Sequence, residues 1–141
     1  MNLSRNIVIT GDDFEHVPCD PAITSNEETS SMGCKCSATR TQCTIGLHAI
    51  HHGRHDQQGM SPPGTMVISS TRIEKCGQRG IEGKYCLHFH KVRDCPDCIF
   101  EDNAVEFGMH RGITVHGTHR SIVKGNGPFY IFHCMTSWMQ N

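Results

Sequence analysis

Two short runs combine imidazoles with strand-forming residues: Tyr85-Cys86-Leu87-His88-Phe89-His90 and Gly112-Ile113-Thr114-Val115-His116-Gly117-Thr118-His119. Side chains alternate between faces along a strand. Leu87 and Phe89 are therefore expected on one face with Ile113 and Val115, and His88, His90 and His116 on the other. Stacking the runs as successive coils, about 5 Å apart, would put three imidazoles on one outer face. That arrangement suits ligation of a shared divalent metal by His88, His90 and His116, or acid and base action on a bound sugar. The plainer alternative is a solvated polar ladder, hydrogen-bonded to Thr114 and Thr118.

Other groups are less specific. Glycoside hydrolysis normally uses two carboxylates. Asp94 and Asp97 lie in the connection after His90, with Glu101, Asp102 and Glu106 further on, but Asp is also an ordinary turn residue and no pair is singled out. Cys95-Pro96-Asp97-Cys98 has the spacing of a redox dithiol or half a zinc site. Without a thioredoxin-like context or a second pair, a local structural disulfide is the expectation. Cys34, Cys36 and Cys43, followed by His48, His51, His52 and His55, offer thiolates and imidazoles to zinc or copper, although their spacing matches no closed tetrahedral pattern. His110, Arg111, His119 and Arg120 fall at strand ends. There they form either scattered surface charge or a modest cationic patch for a carboxylated polysaccharide, using the bidentate geometry of Arg.

These groups need a scaffold, and composition limits which one. The chain has 141 residues, 36% hydrophobic and 6% aromatic, with 14 glycines, which favours many short strands and turns over a helical bundle. A formal net charge of -1 gives no electrostatic case for nucleic acid. Eleven histidines would add positive charge below about pH 6.5. Nine cysteines point to an oxidising compartment or to metal. No run approaches the ~20 apolar residues of a transmembrane helix, and no signal-peptide pattern follows Met1. Abundant cysteine without such a signal suggests an internal piece of a longer secreted protein.

Arg5 to Thr10 reads as an opening strand within residues 1–14. Residues 15–64 show no sustained periodicity and read as a flexible Cys/His-rich insertion. Residues 65–134 hold short strand-like runs separated by Gly, Asn, Asp or Pro, and 135–141 read as an irregular tail. Ile99-Phe100-Glu101-Asp102-Asn103 echoes Ile122-Val123-Lys124-Gly125-Asn126 at a spacing of 23 residues, and Ile73-Glu74-Lys75-Cys76-Gly77 precedes the first by 26. Asn and Gly both tolerate a left-handed corner, so one turn could recur in each coil. The expectation is an all-β, right-handed parallel β-helix, a pectin-lyase-like solenoid of about three coils. Its competitor is a mixed antiparallel β-domain.

Leu3-Ser4-Arg5-Asn6-Ile7-Val8-Ile9, Tyr85 to His90 and Val115-His116-Gly117-Thr118-His119 occur in the order found in a known family. Together they resemble the β-helix region of the family containing the cell migration-inducing and hyaluronan-binding protein, the transmembrane hyaluronidase and the fibrocystin-like proteins. The resemblance covers Leu3 to Asn6 and most of Thr65 to Asn126. It implies an extracellular or cell-surface parent, an upstream domain named for eight glycines, and an anionic polysaccharide partner. Ile131-Phe132-His133-Cys134 departs from the family's Gly-His-Cys segment, and no acidic continuation follows. The sequence thus supports a glycan-binding module that is non-catalytic as a fragment. The alternatives are an endo-acting, hyaluronidase-like glycosidase, and a Cys/His metal-binding or non-functional gene fragment. A poorly capped coil would favour edge-to-edge self-association.

Overall fold

The computed structural model describes residues 6–11, 15–18, 42–53, 64–78, 81–131 and 136–139. All regular structure among them is strand: β1 (Ile7–Thr10), β2 (Glu15–Pro18), β3 (Gln42–Ile45), β4 (Ala49–His52), β5 (Val67–Ser69), β6 (Thr71–Cys76), β7 (Leu87–Asp94), β8 (Ile99–Glu101), β9 (Ala104–Gly108), β10 (Ile113–His119), β11 (Ile122–Lys124), β12 (Gly127–Ile131) and β13 (Thr136–Met139). Among the described residues, no helix is long and apolar enough to cross a membrane.

From β4 onward, strands three apart in the chain pair in parallel, and β1 pairs with β6. The sheet orders are β1-β6-β9-β12, β4-β7-β10-β13 and β5-β8-β11. Each of the first three coils contributes one strand to each of three sheets, β12 and β13 begin a further coil, and the result is a parallel β-helix. β2 and β3 form a separate antiparallel pair between the first two strands of the first coil.

The register stacks like on like. Ile9, Ile73 and Val105 form one inward column, and Ile68, Phe100 and Val123 another. Leu87 pairs with Ile113 and Phe89 with Val115. Phe89 and Phe100 stack face to face across the interior at 3.9 Å. Ile73, Leu87, Phe89, Phe100, Val105 and Ile113 have no exposed surface. This is the dominant stabilising term, at about 25 cal/mol per Å² of apolar area removed from water. Disulfides Cys76–Cys86 and Cys95–Cys98 clasp the two corners that flank β7.

Several expectations need correcting. Ala49–His52, assigned to the flexible insertion, pairs in parallel with β7 and completes the first coil. Thr136–Met139, assigned to an irregular tail, pairs with β10. The 23-residue echo holds residue for residue, Ile122 to Ile99, Val123 to Phe100 and Lys124 to Glu101. The 26-residue one does not: Ile73 lies beside Val105, and the true counterpart of Ile99 is Val67.

The recurring corner also works differently. Its left-handed residues are Ser70, Asp102 and Gly125, the last two one place before the expected Asn103 and Asn126, while Gly77 is left-handed as expected but at the corner after β6. Asn103 is instead buried and bridges coils. Its side-chain oxygen accepts from Thr71 N–H, and its amide donates to the Ile68 carbonyl and to Asn126 Oδ1. Asn126 Nδ2 in turn donates to the Phe100 carbonyl. Asn is chosen at this corner for its paired donor and acceptor more than for its φ.

Candidate functional site

His88 and His90 project from β7 and His116 from the neighbouring β10. The register places His52, His90 and His116 in one column running across β4, β7 and β10, and His88 in the adjacent column between Ile50 and Thr114. The rings touch along that face. His52 stacks on His90 at 4.9 Å, while His90 meets His88 at 5.0 Å and His116 at 4.9 Å, both edge-on. One ligating atom from each of His88, His90 and His116 lies within 4.8 Å of the others.

The alternation expected from sequence therefore brings the three imidazoles together, but the face is closed over at His88. His88 is only 1% exposed. The corner before β7 folds back over it: Tyr85, itself buried, packs edge-on against the ring at 4.8 Å, and the Gly83 carbonyl lies 3.1 Å from His88 Nδ1. Burial, reinforced by neighbouring His90, His48 and His116, pushes the His88 pKa down to about 3, although the Gly83 carbonyl opposes the shift. His88 is thus a neutral imidazole at physiological pH. Its Nδ1–H is held by Gly83 O and its Nε2 lone pair is turned toward His90 Nδ1, 3.4 Å away. His116 Nε2 is buried without a hydrogen-bond partner.

The carboxylates stay apart from this cluster. Asp94 ends β7 four residues beyond His90, about 13 Å along the strand. Both of its oxygens accept from Arg120, and that hydrogen bond, with the guanidinium charge, holds its carboxyl below the usual range. It is an ionised, satisfied partner and not a proton donor. Asp97 is exposed in the Cys95–Cys98 turn, and its charge reaches Arg120.

The cationic residues are also divided. Arg111 precedes β10, leans over the Tyr85 ring at 5.4 Å and donates to its hydroxyl. His119 and Arg120 lie at the opposite end of β10, roughly 25 Å away along the strand. The two ends do not form one patch.

His51, Cys95 and Cys98 make a second close group. The two sulfurs are joined as a disulfide, so they are not thiolate ligands in this form. His51 bonds instead to the Gly64 carbonyl at 2.7 Å. Cys34, Cys36, His55, Phe132, His133, Cys134 and Leu3 to Arg5 lie outside the described residues, as does the side chain of Cys43.

Sequence reasoning missed Tyr85, and it placed His52 among the ligands of the insertion and not on the histidine face. The only available signal for His52 was its position four residues into a strand, matching His90, within Ala49-Ile50-His51-His52.

Comparison with known proteins fits this geometry. Communication mutant protein F of Dictyostelium discoideum is 26% identical over 72 residues, covering 50% of this chain and 6% of that protein. A G8 domain-containing protein of the same organism is 31% identical over 68 residues, 48% of this chain and 6% of that protein. The chain thus spans only a small fraction of the length of the curated relatives it matches. No solved structure matches. The family model described as the CEMIP beta-helix matches residues 56–136, more than half of the chain and the coils that carry His88, His90 and His116. The chain belongs to the CEMIP β-helix family.

Proposed function

We propose that this chain is the β-helix module of an extracellular, glycan-binding protein of hyaluronan type, and that in isolation it binds without cleaving. Membership of the CEMIP β-helix family, matched across the imidazole-bearing coils, carries the reading. The glycan lies along the face of sheet β4-β7-β10, where His52, His90 and His116 repeat at coil spacing and offer ring N–H groups and lone pairs to successive hydroxyls. Arg111, set against Tyr85, supplies a cation for a carboxylate at one end, and His119 supplies ring hydrogen-bonding groups at the other. Two disulfides agree with an oxidising compartment.

Binding is favoured over hydrolysis because, among the described residues, no carboxylate pair joins the imidazole group and Asp94 is committed to Arg120. Incubation with high-molecular-mass hyaluronan, followed by size analysis and a retention assay, tests this. Retention with unchanged polymer length is expected. Shortening of the polymer that His88→Ala abolishes would establish the glycosidase reading instead, and absence of retention would refute both.

A further inference from the structure

The imidazole face also holds His88, a buried ring that glycan contact does not use, beside His90 and His116, which it does. We propose that His88, His90 and His116 bind one zinc-class divalent cation through three ring nitrogens, leaving a fourth coordination position open toward the half-exposed side of His90 and His116.

Three observations carry this, and they hold whether or not the module binds glycan. First, His88 is oriented as metal-ligating histidines are. Its Nδ1–H is fixed on the Gly83 carbonyl, which sets the tautomer and aims the Nε2 lone pair into the cluster. Second, His88 Nε2 and His90 Nδ1 stand 3.4 Å apart, long for a direct hydrogen bond. Two nitrogens on a tetrahedral zinc ion at about 2.05 Å are separated by about 3.4 Å. Third, His116 Nε2 is buried with no hydrogen-bond partner, and one nitrogen from each of the three rings lies within 4.8 Å of the others, so that a closure of no more than about 1.4 Å brings all three onto one ion. A buried polar atom without a partner is unfavourable, and a shared cation would supply the partner.

Ligand chemistry selects the ion. Three imidazoles suit zinc, cobalt, nickel or copper, whereas calcium and magnesium require oxygen ligands. The second close group, His51 with Cys95 and Cys98, does not compete while its sulfurs remain oxidised.

The test uses the full chain, purified without a polyhistidine tag and with disulfides intact, dialysed at pH 7.5 against zinc and separately against cobalt. The expected result is about one zinc ion per chain and visible absorption typical of tetrahedral cobalt. His116→Ala and His90→Gln should each weaken zinc binding by roughly 100-fold, at or beyond the limit for losing a supporting outer-shell group. His51→Ala should bind as the wild type does. Far-ultraviolet circular dichroism identifies any variant that fails to fold, and either of the two site variants is sufficient. Substoichiometric zinc, binding unchanged in folded His90→Gln or His116→Ala, or loss of binding in folded His51→Ala would overturn the proposal.

Discussion

At the scale of single residues, burial decides the chemistry. His88 and His90 are two places apart on one strand, yet the Tyr85 corner covers the first and leaves the second half-exposed. Strand alternation made their common side legible in the sequence. It could not show that a loop would close over that side, because the covering contact is made by residues 83–85 folding back, which no periodicity encodes. The protonation behaviour follows. With a folded-state pKa of about 3 and an unfolded value of about 6.5, the unfolded chain takes up the proton first as pH falls. His88 therefore costs no stability above about 6.5, and an increasing amount from there down to about 3. Urea unfolding midpoints of the metal-free chain should fall between pH 7 and pH 4, and His88→Gln should flatten that dependence. An identical pH slope in the variant would show that His88 is not buried neutral.

At the scale of elements, the coils are held in register by a polar seam as much as by the apolar columns. Asn103 satisfies Thr71 N–H and the Ile68 carbonyl at a buried corner. Asn103→Ala would remove that partner from each, and chemical denaturation should show a loss of roughly 2–4 kcal/mol. At the next coil, Gly125 has φ +64, and a Cβ there would collide with the Asp102 carboxylate. Gly125→Ala should cost about 1–3 kcal/mol. A loss below about 0.5 kcal/mol in both variants, the range of neutral surface changes, would contradict the seam. The 23-residue echo revealed this corner in the sequence because both of its copies keep Ile or Val, one polar pair and Asn. The first coil stayed hidden for a physical reason: 38 residues separate Ala49 from its partner Leu87, and 64 separate Ile7 from Thr71. Excursions at the corners erase a fixed period while leaving the strand pairing intact.

At the scale of the whole molecule, a β-helix keeps open strand edges, and here both ends carry apolar groups. Ile7 and Val67 are exposed on the first coil, and Ile122, Phe129 and Tyr130 on the last strands of their sheets. Tyr130 and Phe107 stack there, with Phe129 edge-on. Such edges template pairing with another chain, so sedimentation should reveal concentration-dependent association that Phe129→Lys reduces. Equal association in the variant would place the contact elsewhere. The central claim concerns the broad face between those ends. Following imidazole proton and nitrogen resonances while hyaluronan oligosaccharide is added tests it most directly. The account predicts saturable shifts at His52, His90 and His116, with His110 and His51 little changed. Shifts confined to His51 or His110, or none at all at saturating oligosaccharide, would contradict it.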